Sequence, residues 1–157
     1  MDRPFVANVR DLPWMSNEAM GDICMFDSDR PRFEQVGYSL AVLKPGQRGA
    51  QYHRELDNQE DFLVLSGECI AVVEGEEHRL GQWDFVHCPP GTAHAFLAVG
   101  DAPCIIFMCG GRHGTRYVFV RDEIALRHGI GVEVETSDQT EAYRTLPEWQ
   151  PGSSPAL

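Results

Sequence analysis

Lysine is almost absent from this chain: Lys44 is the only one, and every other basic residue is arginine. Most Schiff-base chemistry is thereby removed, because it needs a buried or charge-crowded lysine amine. Positive charge is scarce in general, with 13 Lys+Arg against 24 Asp+Glu and a formal net charge of −11. A surface this acidic repels phosphate backbones and anionic lipid, so nucleic acid and membrane surfaces are excluded as partners. Long apolar runs are missing too: nothing approaches the roughly 20 residues of a membrane helix, and the start, MDRPFVANVRDLP, has no apolar signal core. These absences predict a cytoplasmic protein. The five cysteines form no CxxC pair and their number is odd. Cys104 and Cys109 share the run PCIIFMC, but five residues apart on a strand they face opposite ways and share neither metal nor disulfide. Free thiols in a reducing compartment are expected. There is also no GxSxG, no phosphate-cradling glycine loop, no HExxH and no Cys/His zinc knuckle.

What is present is a single domain's worth of chain, 157 residues with 43% hydrophobic content. Residues 1–33 carry Pro4, Pro13 and Pro31 and read as an irregular N-terminal arm, pinned by Trp14. From 34 to 120 the pattern is short apolar strands, among them VGYSLAVL, AQYHRE, DFLVLSG, CIAVVEG, DFVHC, HAFLAV, CIIFMC and TRYVFV. Gly, Pro, Asn and Asp turns separate them, and no helical periodicity intervenes. That spacing predicts an all-β barrel or sandwich. Residues 121–157 change character: RDEIALRHG reads as a short helix capped by Asp122 and stopped at Gly129, with His128 against its C-terminal dipole. TSDQTEAYRTL reads as a second helix capped by Thr136 or Ser137, and WQPGSSPAL as a frayed tail.

The residues able to carry chemistry are His and Glu on these strands. His53 and Glu55 stand at i and i+2 and project from one face. The turn LDNQ follows, and an antiparallel return brings Glu60 beside them. PPGTAH delivers His94 at the start of HAFLAV. If the sheet rolls up, two imidazoles and two carboxylates converge inside it. Such a nitrogen/oxygen set suits Zn, Fe, Mn, Ni or Cu rather than calcium or a soft metal.

Two segments resemble the cupin family. PGQRGAQYHRELDNQEDFLVLSG is similar to the first cupin motif, and DFVHCPPGTAH to the second; together with the strands between them they cover about residues 44–98. The resemblance is closest to small single-domain bacterial cupins without an assigned reaction. It implies a double-stranded β-helix, or jelly-roll barrel, with an arm and short C-terminal helices. It also implies an internal divalent transition metal (Zn, Fe, Mn or Ni) held by His53, Glu55, Glu60 and His94, a small-molecule pocket and a homodimer. The second motif histidine is Glu55 here, Trp83 stands where glycine is expected, and Ala98 where asparagine is expected.

Each residue has a plainer role beside this one. His53 and His94 are also readable as hydrogen-bonded barrel histidines, Glu60 as a strand cap, and Glu55 as an ion-pair partner of an arginine such as Arg116. One of His87 and Cys88 faces inward; the sequence does not say which. His78 sits in a charged hairpin, His113 on the loop GGRHG, and Trp83 reads as a packing change at a turn. Phe62, Val64 and Phe96 are expected to line the pocket. Two function classes follow: a metal-dependent enzyme acting on a small organic molecule as dioxygenase, isomerase or lyase, or a non-catalytic small-ligand binding module.

Overall fold

A computed structural model describes residues 4–157; the first three residues of the expected arm lie outside it. In chain order the strands are β1 (Trp14–Asn17), β2 (Gly21–Met25), β3 (Val36–Leu43), β4 (His53–Glu55), β5 (Glu60–Ser66) and β6 (Glu68–Val73). There follow β7 (Glu76–Leu80), β8 (Phe85–Cys88), β9 (His94–Val99), β10 (Cys104–Gly111), β11 (Tyr117–Phe119), α1 (Glu123–Arg127), α2 (Gln139–Tyr143) and β12 (Gln150–Gly152). The strands form two antiparallel sheets, of order β12-β1-β2-β3-β10-β5-β8 and β11-β4-β9-β6-β7. This is the jelly-roll barrel expected, with no helix between residues 34 and 120. No helix among the described residues is long and apolar enough to cross a membrane.

Strand alternation builds the core. Ala41 and Leu43 of β3, Phe62 and Val64 of β5, Ala71 of β6, Phe96 and Ala98 of β9, and Ile106 of β10 meet between the sheets. The intervening Leu40 and Val42 face outward and are covered by Leu12, Trp14 and Cys24 from the N-terminal segment. Both faces of β3 are thus buried, which accounts for its unbroken apolar run. All five cysteines are free thiols, four of them buried.

The N-terminal region departs from the expected irregular arm. β1 and β2 pair with each other, β2 pairs with β3, and the tail expected to fray supplies β12 against β1. These strands have little sequence signature because their stability comes from pairing onto an existing sheet edge. Trp14 does pin the segment, buried with its indole N–H donating to Val9 O at 3.1 Å. β7 is another addition: EEHRL is exposed at a sheet edge, so it lacks the alternation that marks half-buried strands. The cap of α2 is Asp138, not Thr136 or Ser137; its carboxylate accepts from the Thr140 N–H. Asp122 caps α1 as expected, and His128 at the other end reaches Glu77 at 2.6 Å.

Two turn positions show what the backbone requires. Gly67 joins β5 to β6 at φ +75, and a Cβ there would lie only 2.7 Å from Cys104 Cα. Only glycine fits. Trp83 adopts φ +72 with its side chain two-thirds exposed, so it is not a packing residue as the sequence suggested but a bulky side chain in a conformation that favours glycine. Trp83→Gly should therefore raise stability by about 1 kcal/mol, read as a higher urea midpoint at unchanged slope.

Asp27 ties the N-terminal segment to the end of β10. Its Oδ2 accepts from Arg112 Nη1 at 2.6 Å and from the Phe33 N–H at 2.9 Å. Burial alone would raise the Asp27 carboxyl, but these hydrogen bonds and the Arg112 charge outweigh it and hold the group below its ordinary value. A depressed folded-state value means the stabilisation is present above about pH 3.8 and is lost as pH falls through the depressed range. Acid titration should show the wild type's stability advantage over Asp27→Asn shrinking steadily below that pH; an advantage independent of pH would refute the assignment.

Candidate metal centre and cavity

His53 opens β4 and His94 opens β9, and the two are direct register partners in the five-stranded sheet. Their rings lie 4.9 Å apart. His53 Nδ1 lies 2.7 Å from Gln51 O and His94 Nδ1 lies 3.1 Å from Thr92 O. A carbonyl only accepts, so Nδ1 carries the proton on each ring and each Nε2 presents a lone pair. Glu60 opens β5 in the other sheet, and its Oε2 lies 3.3 Å from His94 Nε2 and 4.0 Å from His53 Nε2. One ligand atom from each of the three residues falls within 4.8 Å of the other two.

Glu60 does not arrive by the antiparallel return that LDNQ suggested. β4 pairs with β11 and β9, while β5 pairs with β10 and β8. The loop crosses between sheets instead, so the cluster is assembled from opposite walls of the barrel.

The electrostatics suit a cation. Burial lowers the His53 pKa, against small opposing effects of the Gln51 carbonyl and Glu55. Burial, then the neighbouring His53, pulls His94 down to about 3. Both rings are therefore neutral, the form that ligates metal. Burial, and next the Glu55 charge, pushes Glu60 up to about 8. Its Oε2 is buried with no hydrogen-bond partner among the described residues. An orphaned carboxylate oxygen facing two imidazole lone pairs is costly unless something positive sits between them. Phe62 packs 4.9 Å from the His94 ring and Phe119 5.6 Å from the His53 ring, which excludes water from that side.

Glu55 stands outside this triangle; it lies on the face of β4 shared with His53 and lines a cavity that Glu60 also lines. It does not pair with Arg116, whose guanidinium is taken by Asp57. Its partner is Asn58, whose Nδ2 donates to Glu55 Oε2 at 2.6 Å. Asn58 is the residue that sequence reasoning missed. It is buried, donates also to Gly114 O at 2.9 Å, and accepts from the His113 and Gly114 N–H groups at 2.7 and 3.3 Å. In the sequence it reads only as a turn asparagine. The cavity has a volume of about 360 Å³ and is lined also by Phe62, Ser39 and two arginines, Arg32 and Arg112.

Residues 39–110 match the cupin domain family. The chain carries a cupin domain. Solved structures agree with this: a protein provisionally described as a sugar phosphate isomerase from Acidithiobacillus ferrooxidans is 26% identical, with 54% of this chain and 55% of that one covered at a TM-score of 0.50. A cupin-superfamily sugar phosphate isomerase from Silicibacter pomeroyi is 24% identical, with 62% of each chain covered and a TM-score of 0.55. A cupin protein from Bacteroides fragilis is 17% identical, covering 73% of this chain and 89% of its own at a TM-score of 0.57. The chain thus spans little more than half the length of the two isomerase structures. No curated protein matches it.

The cupin frame also sorts the remaining histidines. Cys88 is the inward residue of its pair; burial, then the nearby carboxylates led by Glu60, pushes its thiol up to about 12, so it stays protonated. His87 faces outward and meets Asp61 at 2.6 Å. His78 is exposed beside Glu76. His113 takes part through its backbone N–H to Asn58.

Proposed function

We propose that the protein is a metal-dependent enzyme acting on a small oxygenated organic molecule held inside the cupin barrel. The observation that carries this reading is the buried, unpartnered Glu60 Oε2 facing two neutral imidazoles. His53, Glu60 and His94 would hold the ion, and their borderline nitrogen and oxygen donors fit Zn, Fe, Mn or Ni. When bound, such an ion polarises a carbonyl or enol oxygen.

The chain's own residues supply the rest. The Gln51 and Thr92 carbonyls fix the ring orientation of the two histidines. Glu55 is the proton-moving group: Asn58 occupies its Oε2, and Oε1 has no hydrogen-bond partner among the described residues. Its carboxylate is aimed into the cavity, where it takes a proton from a carbon next to a carbonyl and returns it to the neighbouring atom. The name of the relative from Acidithiobacillus ferrooxidans supports isomerisation of this kind.

The test is metal analysis of protein purified without chelator, followed by the Glu55→Gln variant. One transition ion per chain is expected, retained in Glu55→Gln while proton exchange with solvent at a bound hydroxy-carbonyl compound is lost. Protein that retains no metal would instead be a small-ligand binding module. Exchange persisting in Glu55→Gln would remove that residue from the chemistry.

A further inference from the structure

The cavity is chemically two-ended. Glu55 and Glu60 line its inner end, where Glu60 adjoins His53 and the buried His94, and Arg112 and the exposed Arg32 line its outer end. The two arginines are not equivalent. Arg112 is nearly buried, and its Nη1 is committed to Asp27 Oδ2 and Phe33 O, at 2.6 and 2.9 Å. Its other edge, Nε and Nη2, makes no hydrogen bond within the described residues and lies across Gly37, where a Cβ would come within 2.7 Å of both atoms. Gly37 thereby leaves room for a guanidinium to lie flat against β3, with two N–H groups on the cavity wall.

Arg32 is exposed, lines the same cavity, and has no carboxylate or carbonyl partner among the described residues. In a chain of net charge −11, most other arginines with a defined position sit on an acidic side chain, as Arg30, Arg79, Arg116, Arg121 and Arg144 do. An uncommitted cation at a cavity mouth departs from that pattern. Asp27 neutralises Arg112, so the outer end carries one uncompensated positive charge, contributed by Arg32. The overall acidic field repels anions, so any anion entering the barrel needs such a local attractor.

We propose that the molecule this cavity takes carries an anionic group, a carboxylate or a phosphate, at the end facing away from the histidines. Arg32 binds that group as its counter-charge, and the free edge of Arg112 supplies oriented donors beside it. Ser39, on the same face of β3 as Ala41 and Leu43, provides a hydroxyl for a remaining oxygen. The anionic end fixes which carbon of the molecule lies over Glu55, so Arg32 sets specificity rather than performing chemistry. The inference deepens the reading of the inner end as a metal centre and rests on it for the identity of the reacting end only.

The experiment is calorimetric titration of the full, zinc-loaded chain with glucose, gluconate, glucose 6-phosphate and inorganic phosphate, with zinc content measured on the same samples. At least one charged probe should bind about 10-fold or more tighter than glucose, with the advantage falling as salt is added. Whether gluconate or the phosphates gain more distinguishes the two anion classes. Arg32→Gln should erase that advantage at unchanged zinc content, and Arg32→Lys should keep part of it. Equal affinity for glucose and every charged probe, no binding of any charged probe at millimolar concentration, or an advantage that survives Arg32→Gln would each overturn the proposal. A chain that retains no zinc yet still prefers the charged probe would overturn the metal reading and leave this one standing.

Discussion

Glu60→Gln is expected to bind a divalent transition metal at least about 100-fold more weakly than the wild type, and yet to be more stable when metal-free. The two effects share one cause. Glu60 Oε2 has no hydrogen-bond partner among the described residues, and burial, then the neighbouring Glu55 charge, pushes the carboxyl up to about 8. Its ordinary value is about 4.5, so near neutral pH folding without metal forces either an unfavourable charge or an unfavourable proton on this group. An amide carries no charge, and its NH2 can donate to the His94 Nε2 lone pair now 3.3 Å from Glu60 Oε2. A gain of about 1–3 kcal/mol in metal-free stability follows. Denaturant unfolding with and without zinc would measure both halves: the wild type should be the one strongly stabilised by zinc, and the variant barely at all. A metal-free variant less stable than the wild type would mean that Glu60 is a structural hydrogen-bonding residue and no ligand.

The second large effect is expected at Asn58. Its side chain makes four hydrogen bonds, to Glu55 Oε2, Gly114 O, and the His113 and Gly114 N–H groups. Asn58→Ala removes all four and leaves several half-buried polar groups without partners, for a loss of about 2–4 kcal/mol. Asn58→Asp should fare worse near neutral pH, because it keeps the acceptor for the loop N–H groups but places a second carboxylate 2.6 Å from Glu55 with no donor between them. Thermal melts of the two variants at neutral and mildly acidic pH would rank them. If Asn58→Asp equals the wild type at both, Asn58 does not hold Glu55. Metal content should survive in Asn58→Ala, since none of the three converging residues bonds to Asn58.

Much of this molecule follows from local pattern. The alternation in VGYSLAVL, EDFLVLS and HAFLAV assigns faces correctly, because a strand's side-chain period of two leaves each residue only one side to choose. The same rule puts Glu55 on the cavity side with His53, and the spacing of His53, Glu60 and His94 identifies the residues that meet. The Asp122 cap and the Gly129 stop of α1 are also local, since a helix end is satisfied by residues within one turn of it.

What the tertiary structure decided is everything that depends on which strand lies beside which. LDNQ has the composition of a hairpin turn, but it carries the chain from one sheet to the other, so Glu60 faces His53 across the barrel instead of beside it. The short strands β1, β2 and β12 exist because a sheet edge was there to receive them. Asn58 is a loop residue until Gly114 and His113 are folded against it, and Arg112 is one arginine among many until Asp27 and Gly37 orient it over the cavity. These contacts join residues 55 to 85 positions apart. Their geometry is set by closure of the barrel as a whole, and no local periodicity or turn preference encodes it.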